Sequence, residues 1–518
     1  MEVWFVVLVS VSLCLLLRAF FNLLLPSSSP PLPPGPLRFP FIGSFTLLGK
    51  SLLQLEPTLR SLHAKYGPIV SLPLGPRPAI FIADPSLAHQ AFVQNGAVFS
   101  DRPEPDPFTR LIDINLRTIR SSFYGPAWRL FRRNLTTEML HPTRIKSFSG
   151  ERKWVLDMLL SRLRSDSESN KPIMLIDHLR YTMFSLILFM CFGERLDEKK
   201  IRDIDYVLHR FLLDFYKFNV LNFWPRVTRI LFRKRWEDLL QLLKDRENLI
   251  IPLIRARKKA KEERLSKTTK ESRSTVFYMD ALLDLELPEE KRKLEESEMV
   301  SACAEFLDAG TDSTSVTLQW ILASLVKYPQ VQQRLADEIR EVMGEREDKE
   351  VKQEDLNRLP YLKAVILEGL RRHPPTHFPL THAVSEDVVL NGYLVPKKGT
   401  VNFMLAEMGW DPKVWEDPME FRPERFLNDN GEWNGMEWDA SEAFDIKGGK
   451  EMKMVPFGLG RRMCPASNMA MLHLEYFTAN LIWNFEWKPA TDTVDLSETQ
   501  EFLVVMKNPL QVHISPRL

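Results

Sequence analysis

The stretch SEMVSACAEFLDAGTDSTSVTLQWILASLVKYP carries apolar residues at helical spacing from about Ser297 to Lys327 and stops at Pro329. A pattern of that length reads as one long helix and commits the body of the chain to helices. QVQQRLADEIREVMG and YLKAVILEGLRRH continue the helical period, the second closed by Pro374 and Pro375. Strand signals are few. IVSLPLG and AIFIAD around a Gly-Pro turn predict a small hairpin near residues 69 to 84, and DVVLNGYLVP predicts another about Asn391-Gly392. From Trp410 to Lys453 the chain reads as loop. The expected fold class is mainly α with small β-sheets.

The N-terminus adds a separate element. Val3 to Leu17 carries no charge, and after Arg18 the apolar character resumes through Leu25. Roughly 20 apolar residues suffice to cross a bilayer, with Arg18 snorkelling to its surface. A cleaved signal peptide is the rival reading; Glu2 in place of a basic start and the lack of a small-residue cleavage site argue against it. PSSSPPLPPGP follows, too rich in proline to continue a helix. The expected organisation is a membrane anchor at 1–25, a stiff linker at 26–40 and a single catalytic domain at 41–518, since no Gly/Ser linker, repeat or low-complexity tract divides residues 60 to 518. With 69 Lys+Arg against 68 Asp+Glu, no overall field draws the chain to nucleic acid. The basic run at 255–273 reads as a solvated helix end and loop, with lipid or an acidic partner as the sharper alternative.

Cys14, Cys191, Cys303 and Cys464 are too scattered for a disulfide framework. The first three sit in apolar contexts, where free cysteine acts as a small hydrophobe. Cys464 differs. It lies in PFGLGRRMCPASNMAM, between a glycine-loosened loop and an apolar helical pattern. A helix N-terminus lowers a thiol's pKa, Pro465 suits a first helical turn, and Gly458 and Gly460 let backbone N–H groups turn toward the sulfur. The expectation is a lone, hydrogen-bonded thiolate. Three uses fit: a nucleophile, one corner of a zinc site, or an axial ligand of haem iron. A nucleophile needs a base that the sequence does not locate, and zinc needs three more ligands. His373, His377 and His382 in HPPTHFPLTH are kept off one helix face by prolines and are discounted as a metal cluster. Haem ligation needs one cysteine and cations for two propionates, and Arg462 is placed for one of them.

FGLGRRMCPA resembles the haem-binding loop of the cytochrome P-450 monooxygenases, F-x-x-G-x-R-x-C-x-G. Four further motifs stand in the family's order: WRLFR with Trp128 and Arg132, AGTDST from Ala309 to Thr314, EGLR with Glu368 and Arg371, and FRPERF with Arg425. The proline strap and anchor resemble the microsomal members, and CPASNMAMLHLEYFTANLIWNFEWK resembles the plant ones. The resemblance implies that Cys464 ligates the iron of haem b, that Arg462, Trp128, Arg132 and His382 hold its propionates, and that Phe457 shields the sulfur. It implies proton delivery by Asp312, Ser313 and Thr314, and a structural lock of Glu368, Arg371 and Arg425. Substrate contacts are expected from residues 104 to 124, Ala309, Gly310, Phe378, Leu380 and Leu503, with Ala309-Gly310 leaving room for oxygen. No flavin or dinucleotide fingerprint is visible, so electrons must come from elsewhere; the resemblance implies an NADPH–cytochrome P-450 reductase at the endoplasmic reticulum membrane and a small apolar organic substrate oxidised with O2. A haem-thiolate isomerase or dehydratase needing no external electrons, and a non-catalytic haem sensor, remain alternatives.

The chain departs from the pattern at three places. Ser313 stands where the family has threonine and lacks the methyl that restricts its rotamer, which predicts looser proton delivery. Ala466 replaces a glycine and is expected to crowd the helix start. His382 stands where many members carry arginine, so its charge would depend on pH.

Overall fold

The computed structural model describes residues 10, 13, 30–36, 52–73, 78–169, 171–214, 217–218, 220–222, 225–266, 275–346, 349–428, 430 and 453–517. The expected anchor, with Cys14, lies outside the described residues except for Ser10 and Leu13. The expected linker lies outside them except for 30–36.

The long helical pattern is observed as one helix, Glu296–Lys327. The Glu295 N–H donates to Glu298 Oε2 at 2.8 Å, satisfying a donor the first turn leaves open, and Pro329 blocks extension beyond Tyr328. Val300, Leu307, Leu318, Ile321 and Leu325 on it are fully buried. The helix is wrapped by others, so eight elements suffice to place the site: α1 (Leu52–Tyr66), α2 (Pro126–Glu138), α3 (Leu175–Phe192), α4 (Glu198–Leu213), α5 (Arg233–Ser266), α6 (the central Glu296–Lys327), α7 (Pro360–Arg372) and α8 (Ser467–Asn484). Among the described residues α3 alone is long and apolar enough to cross a membrane, but 72% of it is buried in the core against α6. Gly310 sets how close those two helices come. A Cβ there would lie 3.1 Å from the Ile187 side chain.

Both expected hairpins are present. β1 (Ile69–Leu72) pairs antiparallel with β2 (Ala79–Ile82) in the register Ile69 to Ile82. β3 (His382–Ala383) and β4 (Thr400–Phe403) complete a four-stranded sheet of order β1-β2-β4-β3, with β2 parallel to β4. Val388–Leu390 pairs with Tyr393–Val395 across Asn391 and Gly392, whose φ angles of 50° and 78° are those a type I′ turn needs. β5 (Glu498–Gln500) and β6 (Val504–Met506) form a last hairpin.

The start of the basic run is a helix end, as expected: it continues α5 with Arg255, Lys258, Lys259 and Arg264 exposed, but Arg257 grips Asp280 at 2.8 and 2.5 Å and Lys261 pairs with Asp284 at 2.6 Å. Residues 267–274 lie outside the described residues. The proline strap is not wholly a spacer. The Pro31 carbonyl accepts from Leu394 N–H at 2.8 Å, and Pro33 and Pro34 carbonyls accept from the Ser71 hydroxyl and N–H at 2.7 and 2.8 Å. A Cβ on Gly35 would meet the Ser71 carbonyl oxygen at 1.9 Å, so only glycine permits this docking.

Candidate functional site

A chamber of about 350 Å³ lies between α6 and the glycine loop. Ala309, Gly310, Ser313 and Thr314 line one wall, and Phe457, Gly458, Cys464 and Ala466 line the opposite one. The loop owes its path to Gly458 and Gly460, with φ of 80° and 68°; a Cβ on Gly460 would lie 2.0 Å from the Phe92 carbonyl oxygen. The Cys464 N–H donates to the Phe457 carbonyl at 2.9 Å. α8 begins at Ser467, so the cysteine precedes the helix and Ala466 is its N-cap. Ala466 has φ −101°, a conformation open to any residue, and its N–H hydrogen-bonds the sulfur. The expected lowering of the thiol pKa is corrected: burial raises it, against the Ala466 N–H and the Arg132 charge. Helix-end donors were legible in the sequence and desolvation was not. A metal ion deprotonates such a thiol outright on coordination.

Above one edge of the chamber stands a cluster of cations. Trp128 and Arg132 share a face of α2, four residues apart, and both reach the chamber. The Trp128 Nε1 is buried with no partner. Arg462 donates to the carbonyls of Ser100, Ile119 and Ser122 at 2.5, 3.0 and 2.6 Å, its guanidinium 5.1 Å from the Trp128 ring centroid. Arg102, which the sequence did not single out, joins them: Nη1 donates to Leu380 and Thr381 carbonyls at 2.7 and 2.9 Å. Burial lowers Arg102 to about 9, with Arg462 adding to it, and lowers Arg462 to about 10. Half-buried arginines whose guanidiniums meet carbonyls, beside an orphaned indole N–H, fit a ligand with carboxylates on its edge. With a cysteine sulfur facing the same chamber, the residues fit a dicarboxylate porphyrin.

His382 lines the chamber. Its Nδ1 lies 2.8 Å from the Phe99 carbonyl, so Nδ1 carries the proton, and burial reinforced by Arg102 lowers its pKa to about 3. A neutral ring with a lone pair on Nε2 cannot replace a cation. Arg102 supplies that charge instead.

On α6 the three expected proton carriers diverge. Ser313 Oγ lines the chamber and donates to the Ala309 carbonyl at 2.7 Å, and Thr314 is buried beside it. Asp312 points the other way. It pairs with Arg180 of α3, which also holds Asp205 of α4 at 2.7 Å, and its Oδ1 lies 3.4 Å from His209 Nδ1. Burial, with Arg180, lowers His209 to about 3, and Asp312 Oδ2 is buried without a partner. Glu305, two turns earlier, also lines the chamber and accepts from the N–H groups of Ile119 and Arg120 at 2.8 and 2.6 Å. A charge inside an otherwise apolar helical run was the signal for it.

Of the expected substrate contacts, Ala309, Leu380 and Leu503 line the chamber, as do Ile119 and Arg120 from the 104–124 segment. Gly310 lines it as well, and its missing side chain would point at Ile187, so the glycine also serves helix packing. Phe378 is corrected: it is buried in a separate cluster, edge-on to Phe81 at 6.1 Å, while Thr376 and Pro379 beside it face the chamber. Glu368, Arg371 and Arg425 meet as one buried group. Arg371 forks onto Glu368 at 2.7 and 2.8 Å and donates to the carbonyls of Gly409 and Pro418, both at 2.7 Å. Arg425 reaches Glu368 at 3.1 Å.

Comparison with known proteins bears on this geometry. A family model described as "Cytochrome P450" matches residues 33–514. "Cytochrome P450 89A9" of Arabidopsis thaliana is 47% identical over 510 residues, 96% of each chain. "2-hydroxyisoflavanone synthase" of Glycyrrhiza uralensis is 30% identical, covering 92% of this chain and 90% of its own. "Flavonoid 3',5'-hydroxylase" of Solanum melongena is 27% identical, covering 94% and 91%.

Proposed function

The chain belongs to the cytochrome P-450 family, and from that premise we propose a membrane-held plant enzyme that inserts one oxygen atom of O2 into a largely apolar secondary metabolite or lipid-like molecule, with electrons from an NADPH-dependent reductase. It is a monooxygenase and its cofactor is haem. The observation that carries the residue assignment is the chamber itself: one half-buried cysteine on one wall, and an orphaned indole N–H with three half-buried arginines along one edge.

Cys464 would hold the iron, and the haem so held supplies oxygen activation and transfer. The Trp128 N–H, with Arg102, Arg132 and Arg462, would hold the propionates by charge-assisted hydrogen bonds and fix the ring's orientation. Ser313 Oγ, now on the Ala309 carbonyl, can turn about χ1 to present its proton to the chamber, and Asp312 behind it offers an unpartnered Oδ2 on which a proton can rest. That the acid sits in an ion pair with Arg180 makes its release a separate step. Glu368, Arg371 and Arg425 would act structurally, joining α7 to the segment before the glycine loop.

Ile119, Phe306, Leu370 and Leu503 give the chamber apolar walls. Two of the relatives are named for flavonoid and isoflavanone chemistry, which supports a plant metabolite of that kind as substrate. The uncharged run Val3 to Leu17 supports an anchor in the endoplasmic reticulum membrane, and a second patch supports contact between body and lipid: Ile230 and Leu231 are 78% and 71% exposed, with Arg226 and Arg229 beside them. The test is the reduced, carbon-monoxide-bound spectrum. Wild type shows the long-wavelength Soret band of a sulfur donor and Cys464→Ser loses it; a band surviving in the variant rejects the ligand assignment. Incubation with reductase, NADPH and a plant extract then identifies products heavier by one oxygen.

A further inference from the structure

HPPTHFPLTH lies between α7 and β3, and neither haem holding nor proton delivery accounts for its first two histidines. No group of three or more metal-ligating side chains suited to an ion occurs among the described residues. The two histidines instead enter a buried ionic cluster. His373 lies flat on Trp320 of α6, with ring centroids 4.1 Å apart and planes at 4°, and its Nδ1 is 2.8 Å from Glu498 Oε1. His377 is 3% exposed at the side chain. Its Nδ1 is 3.0 Å from Glu56 Oε2 of α1, and its Nε2 is 3.4 Å from Glu498 Oε2 of β5. Nδ1 is in hydrogen-bond reach of one carboxylate while the buried Nε2 faces the other without a hydrogen bond, and only the imidazolium presents a charge to both.

The partners of this ring lead into the chamber wall. Pro375, Thr376, Pro379 and Leu380 of the His377 strap line the chamber, and so does Leu503 in the turn between β5 and β6. The Val504 N–H donates to the Pro375 carbonyl at 2.9 Å, and the Val504 carbonyl accepts from Trp320 Nε1 at 3.1 Å. Strap, turn and central helix are therefore tied at one place, and the ionic cluster lies directly behind it. We propose that His377 is a positioning residue which, by joining Glu56 to Glu498, sets the width of the substrate chamber between the strap and the Leu503 turn. The side chain touches no substrate. It acts on which substrates fit.

Charge on this ring is what holds the join. Burial works against it, but the carboxylates of Glu498 and Glu56 outweigh burial and raise the pKa from 6.5 to about 9. The other charged groups packed around it are Arg60, which bridges Glu56 and Glu407 at 2.9 and 2.6 Å, Arg372, 3.9 Å from Glu498, and His373, which burial lowers to about 4 and keeps neutral. A folded pKa above the unfolded one stabilises fully below pH 6.5, and that contribution is lost as pH rises through about 9.

The inference rests on the haem-thiolate reading, and the test separates the two. Two N-substituted 1,2,4-triazoles, one narrow and one bulky, serve as probes on the full-length holoenzyme, with dissociation constants read from the Soret shift. In wild type the ratio of the two constants should hold steady from pH 6.5 to 8 and change above pH 9. His377→Gln should shift the ratio at pH 7 by at least about fivefold and abolish the alkaline change, with the carbon-monoxide band intact. A ratio unmoved in a variant that keeps that band overturns the proposal. Should the variant bind no haem, the wild-type pH series decides alone: a ratio flat to pH 10 overturns it. Absence of the band from wild type would instead reject the haem-thiolate reading itself.

Discussion

Trp128 shows what a single residue contributes. Its indole N–H is buried without a partner, and a buried donor left unmade costs about 1–3 kcal/mol. A propionate would satisfy it. Trp128→Phe keeps the ring and removes the N–H, so haem transfer to apomyoglobin should run about 10-fold faster or more; an unchanged transfer rate would assign the indole to packing only. Glu368 is the sharper case. Its fully buried carboxylate pairs with both Arg371 and Arg425. Glu368→Gln removes the carboxylate charge that buried Arg371 forks onto and should cost about 3–5 kcal/mol, read as a lower midpoint in denaturant unfolding followed through the Soret band. WRLFR and EGLR announced these residues by resemblance. The pattern did not announce Arg102, because DRP carries no spacing that sets it apart from an ordinary surface arginine.

At the scale of elements, the contact between α3 and α6 is governed by Gly310 and Ile187. Adding a methyl at a place where it would lie 3.1 Å from Ile187 forces the helices apart or bends a rotamer. Gly310→Ala should destabilise by about 1–3 kcal/mol, and Ile187→Val in the same chain should recover part of that loss. Additive losses in this cycle would place the strain elsewhere. The helices themselves were legible: Glu296–Lys327 and Pro360–Arg372 fall within a residue or so of their sequence patterns. Their rotation was not. AGTDST reads as one motif, yet Ser313 faces the chamber while Asp312 faces Arg180, because adjacent residues on a helix point about 100° apart. Which face meets the chamber depends on where α3 and α4 pack.

For the whole molecule, the boundary between anchor and body is the testable quantity. The sequence places it at residue 40, but residues 31–34 hydrogen-bond to Ser71 and Leu394. A chain starting at residue 30 should retain the haem spectrum and the stability of the full body. A chain starting at 41 loses three hydrogen bonds and should be weaker by about 1.5–4.5 kcal/mol, measured by urea unfolding. Equal stability of the two would return the strap to the linker.

The sequence by itself determined the helical body, the hairpin at Asn391-Gly392 and the lone cysteine beside a helix, because each follows from periodicity, turn chemistry or local order along the chain. Only the tertiary structure decided how that thiol titrates, which cations crowd its chamber and where His377 finds its two carboxylates. Those properties depend on desolvation and on charges brought from positions as distant as Glu56 and Glu498, and neither is encoded in neighbouring residues.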